Sequence, residues 1–137
     1  MFKYVKTTSA QNAYDAYQLM HAAAVVMSEI FHKLAAEERG PWQRATLRAI
    51  EKLMNGVTWG RAADGAYVFQ SESEKHIWHT TYTKQGCSCR AALNERLCWH
   101  RPAARMIAVI RADQRSKAVM SRRLRLEEDL DAVYAAV

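Results

Sequence analysis

Long apolar runs are missing from this 137-residue chain: none exceeds six residues, as at residues 22–27, whereas a membrane-spanning helix needs about 20. Cysteine is scarce and odd in number, three in all, and Cys87 and Cys89 are too close to bridge each other. That argues against a disulfide framework and leaves metal ligation or free thiols. Glycine, five residues in all, is too sparse for a phosphate-cradling loop, and the carboxylates are scattered without a pair that a cleft would hold. No catalytic machinery is visible, so an enzyme is not expected. Internal repeats and low-complexity tracts are absent. Residues 1–6 carry charge with no apolar signal core behind it, so the expected location is the cytoplasm, or the nucleoid or nucleus if the chain is bound to DNA.

What is present is an ordinary globular balance, 50% apolar and 25% charged, at a length that buries a core without needing a metal for size alone. The net charge is +6, and its distribution is uneven. Residues 1–83 carry nine basic and eight acidic side chains, residues 84–125 eleven and two, and residues 126–137 none and four. A strongly positive stretch of this kind suits an acidic partner.

Periodicity predicts an amphipathic helix over residues 10–38, with Ala13, Tyr17, Met20, Ala24, Met27, Phe31 and Leu34 on one face, Ser9 as N-cap and Gly40-Pro41 as its end. A second helix follows from Pro41, with Trp42, Ala45, Ala49, Ile50, Leu53 and Met54 on one face, and Asn55-Gly56 closes it, so the two form a helical hairpin. The composition then shifts to Val, Thr, Trp, Tyr and Phe, which predicts an antiparallel meander over residues 57–61, 66–71 and 75–83. Pro102 opens a C-terminal helical segment, as one helix or two. The fold class is therefore α+β: an N-terminal helical region over 1–56, a strand-rich unit with a zinc knuckle over 57–112, and a charged helix over 113–137, together one compact domain.

All three cysteines belong to one constellation. Cys87-Ser88-Cys89 and Cys98-Trp99-His100 are two pairs with the same one-residue gap, separated by residues 90–97. In extended backbone, residues i and i+2 project to the same side, so each pair can aim both donors at one point. Three thiolates and an imidazole make a closed tetrahedral zinc site, which is structural because no position is left for water. Ordinary buried thiols or a catalytic cysteine explain the matched pairs less well. Zinc with three thiolates is formally −1, and Lys84, Arg90, Arg96 and Arg101 flank the motif in sequence to offset that charge.

The order C-x-C, eight residues, C-x-H, after an aromatic β-hairpin and before an apolar helix, resembles the SWIM zinc-finger family over about residues 57–112. Arg90 and Trp99 depart from the proline and the basic residue common at those positions. The resemblance implies that Cys87, Cys89, Cys98 and His100 hold zinc in a β-β-α unit that binds DNA or a protein, with nothing catalytic.

After the motif, Arg101, Arg105, Arg111, Arg115, Lys117, Arg122, Arg123 and Arg125 can share a broad helical face. Of these, Arg101, Arg105, Arg111, Arg115, Arg122 and Arg123, together with Arg90, are the candidate nucleic-acid contacts. The bland role is a solvated face partly neutralised by Glu127, Glu128, Asp129 and Asp131; the preference for arginine over lysine favours phosphate recognition. Trp59, Trp78, Tyr82 and Trp99 are candidates for base stacking, although core packing is the simpler role for most, with Trp78 and Tyr82 on a sheet face toward the helices and Trp99 a lid over the zinc. His21 and His32, eleven apart on the first helix, lack the i, i+4 spacing of a metal pair and are incidental, and His76 and His79, on opposite faces of a strand, share no ligand geometry with the cysteines. A first helix of about 43 Å, with small residues at Ala13, Ala16, Ala23, Ala24 and Ala35, suggests a homodimer through the N-terminal region. The expected function is nucleic-acid binding, DNA foremost. The alternative is a protein-interaction module acting with a recombination, transposition or transcription factor.

Overall fold

The computed structural model describes residues 4–9, 14–74, 76–82, 86–93 and 96–135. Strand β1 (Tyr4–Ser9) leads to helices α1 (Ala16–Ile30) and α2 (Ala36–Asn55), then strands β2 (Thr58–Ala62), β3 (Tyr67–Gln70), β4 (Trp78–Tyr82) and β5 (Gly86–Cys87). A short helix α3 (Arg90–Leu93) and the long helix α4 (His100–Ala135) complete the chain. The class is α+β, as the composition shift after Gly56 predicts. The sheet is antiparallel throughout, in the order β1-β2-β3-β4-β5. Strand β1, on the β2 edge, is an addition to the predicted meander. Ser9 ends that strand rather than capping a helix.

The N-terminal helix is shorter than its periodicity suggests. Asp15 is the N-cap, its carboxylate accepting from the Gln18 amide at 2.8 Å, so the orphan donors of the first turn are met six residues later than expected. At the other end a 3-10 turn, Phe31–Lys33, is followed by Leu34 and Ala35 in extended conformation, and α2 begins at Ala36. The helix boundary therefore precedes Gly40-Pro41, and that dipeptide lies inside α2. Two physical effects favour this. Glu37 and Glu38 sit in the first turn of α2, where the helix dipole welcomes carboxylates. Proline normally forces its predecessor out of helical geometry by clashing with its Cβ, and at position 40 there is no Cβ to clash with. Gly56, with φ of 89°, then closes α2.

The face that α1 buries is also rotated from the predicted one. Leu19, Ala22, Ala23, Val26 and Ile30 are buried, whereas Tyr17 is 85% and Met20 60% exposed. In a helix this rich in Ala, Val and Met more than one apolar ladder satisfies the spacing, and the branched aliphatics Leu19, Val26 and Ile30 decide which one packs. In α2 Trp42, Ala45, Ala49 and Leu53 are buried as expected, with Thr46 among them bonding back to the Trp42 carbonyl at 2.7 Å.

Helices α1 and α2 pack together and both pack on the first third of α4, which contributes Ala103, Ala104, Met106, Ile107 and Ile110 to the core. Trp59, Tyr67 and Phe69 bring one face of the sheet into the same cluster. Residues 67 and 69 alternate onto that face, and Trp59 stands opposite Phe69 in the β2–β3 register. The other face carries a smaller cluster of Ala62, Ala66 and Val68 with Trp78 against it. Trp78 and Tyr82 do share a face, but it is the one turned from the helices. There the Tyr82 hydroxyl donates to Asp64 Oδ2 at 2.6 Å, which holds the Asp64 carboxyl below its usual range. No described helix is long and apolar enough to cross a membrane.

Because Phe69 is fully buried where sheet and helices meet, Phe69→Ala should lower unfolding stability in a denaturant titration by about 3–5 kcal/mol. Met54→Ala, on the exposed side of α2, should change it by no more than about 0.5 kcal/mol.

Candidate metal centre

Strand β5 places the first donor. Cys87 pairs with Thr81 of β4, and Thr81 in turn pairs with Tyr67 of β3, so all three side chains project from the face that meets the helices. The Thr81 hydroxyl, fully buried, lies 3.2 Å from Cys87 Sγ. Ser88 fastens the end of the strand: its amide donates to the Thr80 carbonyl at 2.9 Å, and its hydroxyl accepts from the Thr80 amide at 2.8 Å. Cys89 follows at a bend just before α3.

The second pair does not use extended backbone. Cys98 lies in the approach to α4, and His100 is already the first residue of that helix, with Arg101 inside it. Pro102, in the first turn, has no N–H to lose there, so the helix starts two residues upstream of it rather than at it. The C-x-H pair is thus held by a helix start, which fixes the imidazole as firmly as a strand would.

The outcome is convergence. One donor atom from each of Cys87, Cys89, Cys98 and His100 lies within 4.8 Å of the others. Four atoms so spaced surround a single ion at ~2.0–2.3 Å from each with small side-chain adjustments. Cys89, Cys98 and His100 are buried and Cys87 is half-buried. His100 Nδ1 is buried without a hydrogen-bond partner, so the protein alone leaves part of the imidazole unmet. The donor set and this orphan fit a metal ion, which these four residues could hold.

The surroundings favour negative charge on one of the three sulfurs, that of Cys87. Hydrogen bonding with the Cys98 thiol, and then with His100 and Thr81, pulls the Cys87 thiol far below its usual value. That same bond to Cys87, with burial, pushes Cys98 up, and burial pushes up Cys89. Amide groups of Ala92 and Arg101 bond the sulfurs of Cys89 and Cys98. Such donors orient ligands and disperse the charge of a thiolate-rich centre. Trp99 is half-buried with its ring centroid 4.1 Å from that of His100 and 5.7 Å from that of Phe69.

His79 shares no ligand geometry with the cysteines, as expected, but it lies beside the cluster. Its ring centroid lies 5.2 Å from that of His100, and burial, then His100, lowers its pKa. It is outside the four-donor set but forms one wall of it. The signal was available in the pattern: His79 is two residues from Thr81 on β4, hence on the same face as Cys87.

The candidate nucleic-acid contacts separate into two groups. The Arg101 guanidinium lies over the Trp42 ring at 5.2 Å and that of Arg111 over Trp59 at 6.0 Å. Arg101 and Arg105 each have a buried Nε without a partner, and burial lowers the Arg105 pKa. Arg101 and Arg105 are thus packed against the body. Arg115, Lys117, Arg122, Arg123 and Arg125 are exposed on the outer part of α4, and no carboxylate pairs with them among the described residues. Arg90 opens α3, Arg96 is exposed, and Lys84 lies outside the described residues. Trp59 is buried in the core, which removes it from the stacking candidates. A groove of about 1610 Å³ runs beside the cluster, but its lining mixes Arg44, Arg48 and Arg96 with Glu37, Glu38 and Glu74 and is not uniformly positive.

No family model, curated protein or solved structure matches the chain.

Thr81→Val keeps the shape of β4 and removes the hydroxyl bonded to Cys87. It should weaken Zn(II) binding, measured by chelator competition, about 10–100-fold, the usual effect of losing an outer hydrogen-bond partner of a ligand. Cys98→Ala should abolish stoichiometric binding.

Proposed function

We propose that this chain is a small non-enzymatic zinc-finger protein that binds nucleic acid, with DNA as the first candidate. In this reading Cys87, Cys89, Cys98 and His100 hold one structural zinc ion in a SWIM-like unit, consistent with a closed donor set that leaves no site for a reacting water. The zinc contributes folding energy and fixes the start of α4 against the sheet edge. It supplies no chemistry to a substrate.

The observation that carries the nucleic-acid reading is the stripe on α4. At the α-helical turn per residue, Arg111, Arg115, Arg122 and Arg125 fall within an arc of about 80° and extend over about 21 Å of helix. The last three are exposed, and none pairs with a carboxylate among the described residues. Uncompensated guanidinium groups at such intervals suit backbone phosphates, which they bind bidentately. Packing of Arg111 on Trp59 orients the first of them. A second reading, docking to a protein such as a recombination, transposition or transcription factor, draws on apolar side chains exposed along the same helix.

Titration of zinc-loaded protein with labelled single-stranded and duplex DNA and RNA at two salt concentrations tests the proposal. Affinity should fall steeply as salt rises. Arg115→Ala and Arg125→Ala should each weaken binding across sequences and lower the salt slope by about 1. Binding that is insensitive to salt and to both substitutions would refute the phosphate-contact reading.

A further inference from the structure

Helix α4 runs for 36 residues, about 54 Å, yet only its first third meets the body. From Ala112 to Val133 every residue is exposed, with Asp113 still 3.7 Å from His21 of α1. A helix standing clear of its domain depends on propensity alone, and most protein helices depend on burying a face.

This one has a face to bury. Val119, Leu126, Leu130 and Val133 are each about half exposed or more, Leu126 at 62% and Val133 at 61%. Their spacing of seven, four and three residues places them within an arc of about 60°, the narrow seam of a two-helix contact. Charge along the same segment is ordered, basic from Arg115 to Arg125 and acidic from Glu127 to Asp131. Within one helix this order is unfavourable, because acidic groups near a C-terminal end oppose the helix dipole and no basic residue occupies the last turn.

We propose that the seam is the docking surface for a second copy of this chain, the two α4 segments lying antiparallel and centred near Arg125. This inference does not rest on nucleic-acid binding. Antiparallel pairing sets the acidic block of each copy beside the basic block of the other, whereas a parallel pair would set like charge on like. About this centre Val119 of one copy meets Leu130 of the other, and Arg122 on the flank meets Asp129. Ala135 then reaches Gln114, where α4 leaves the body, so the overlap matches the length of helix that stands free. Arg111, outside the overlap, and Arg125, on the far side of the helix from the seam, are not consumed by the pairing.

The test is sedimentation equilibrium of the zinc-loaded full chain over a range of salt, without nucleic acid. The proposal expects twice the chain mass at micromolar concentration and a dimer that weakens as salt rises, because the pairing charges attract. A monomer at 50 µM and low salt, or a dimer that tightens with salt as a parallel pair would, overturns it. Leu126→Glu with Leu130→Glu should weaken association roughly 100-fold or more. Both side chains are far from the core, so unchanged zinc content and thermal transition of the body verify that the variant is folded. A dimer that persists in that variant locates the interface elsewhere, such as the N-terminal helices, and overturns the proposal. In a further arm, Arg122→Glu with Arg123→Glu and, separately, Glu127→Lys with Asp129→Lys should each dissociate the dimer, while an equimolar mixture should re-form it. Failure of the mixture to associate contradicts the charge pairing.

Discussion

Three thiols and an imidazole crowded within 4.8 Å of one another, three of the four residues buried, form an arrangement that packing alone does not favour. Thiols in a protein interior serve well enough as small hydrophobes, but a buried imidazole nitrogen without a partner is costly. The cluster joins parts of the chain that otherwise meet through few contacts: the two-residue strand β5, the bend before α3, and the start of α4. Held together, these parts close the sheet edge over Phe69 and aim α4. Released, β5 has little to keep it paired, since so short an edge strand contributes few ladder bonds.

The rest of the fold is arranged so that this junction is rigid. Phe69 of β3 touches both Trp99 and His100, so the central packing of the sheet against α1, α2 and α4 is continuous with the wall of the cluster. His79 and Thr81 supply the remaining wall from β4, on the face set by strand alternation. The helix that begins at His100 is therefore fixed at one end by side chains in the core and free at the other. Such a helix presents its outer residues, basic and then acidic, at a defined angle to the body, and this geometry underlies both the phosphate-binding and the pairing roles proposed for it.

The cluster of four candidate donors was legible because cysteine is rare in this chain and the two pairs repeat one gap, a pattern that needs no tertiary information. The strands after Gly56 were legible for the same kind of reason: β-branched and aromatic residues bounded by turn residues at 63–65 and 71–74. What misled was local ambiguity. Gly40-Pro41 carries the usual marks of a helix end, but the missing Cβ of Gly40 and the carboxylates of Glu37 and Glu38 let α2 start earlier and run through. Two apolar ladders compete on α1, and only packing against α4 selects the one with Leu19, Val26 and Ile30. Strand β1 needs β2 beside it to be a strand, which sequence order does not announce. For the arginines, charge alone could not separate Arg101 and Arg105, drawn against the body, from Arg115 and Arg122 in solvent.

The account stands or falls on a metal in this cluster, and X-ray absorption at the zinc edge of gently purified full-length protein tests that most directly. It predicts one zinc per chain, with three sulfur neighbours near ~2.3 Å, one nitrogen near ~2.0 Å and no water oxygen. Protein without a bound transition metal, or zinc in an oxygen-rich shell, would contradict it.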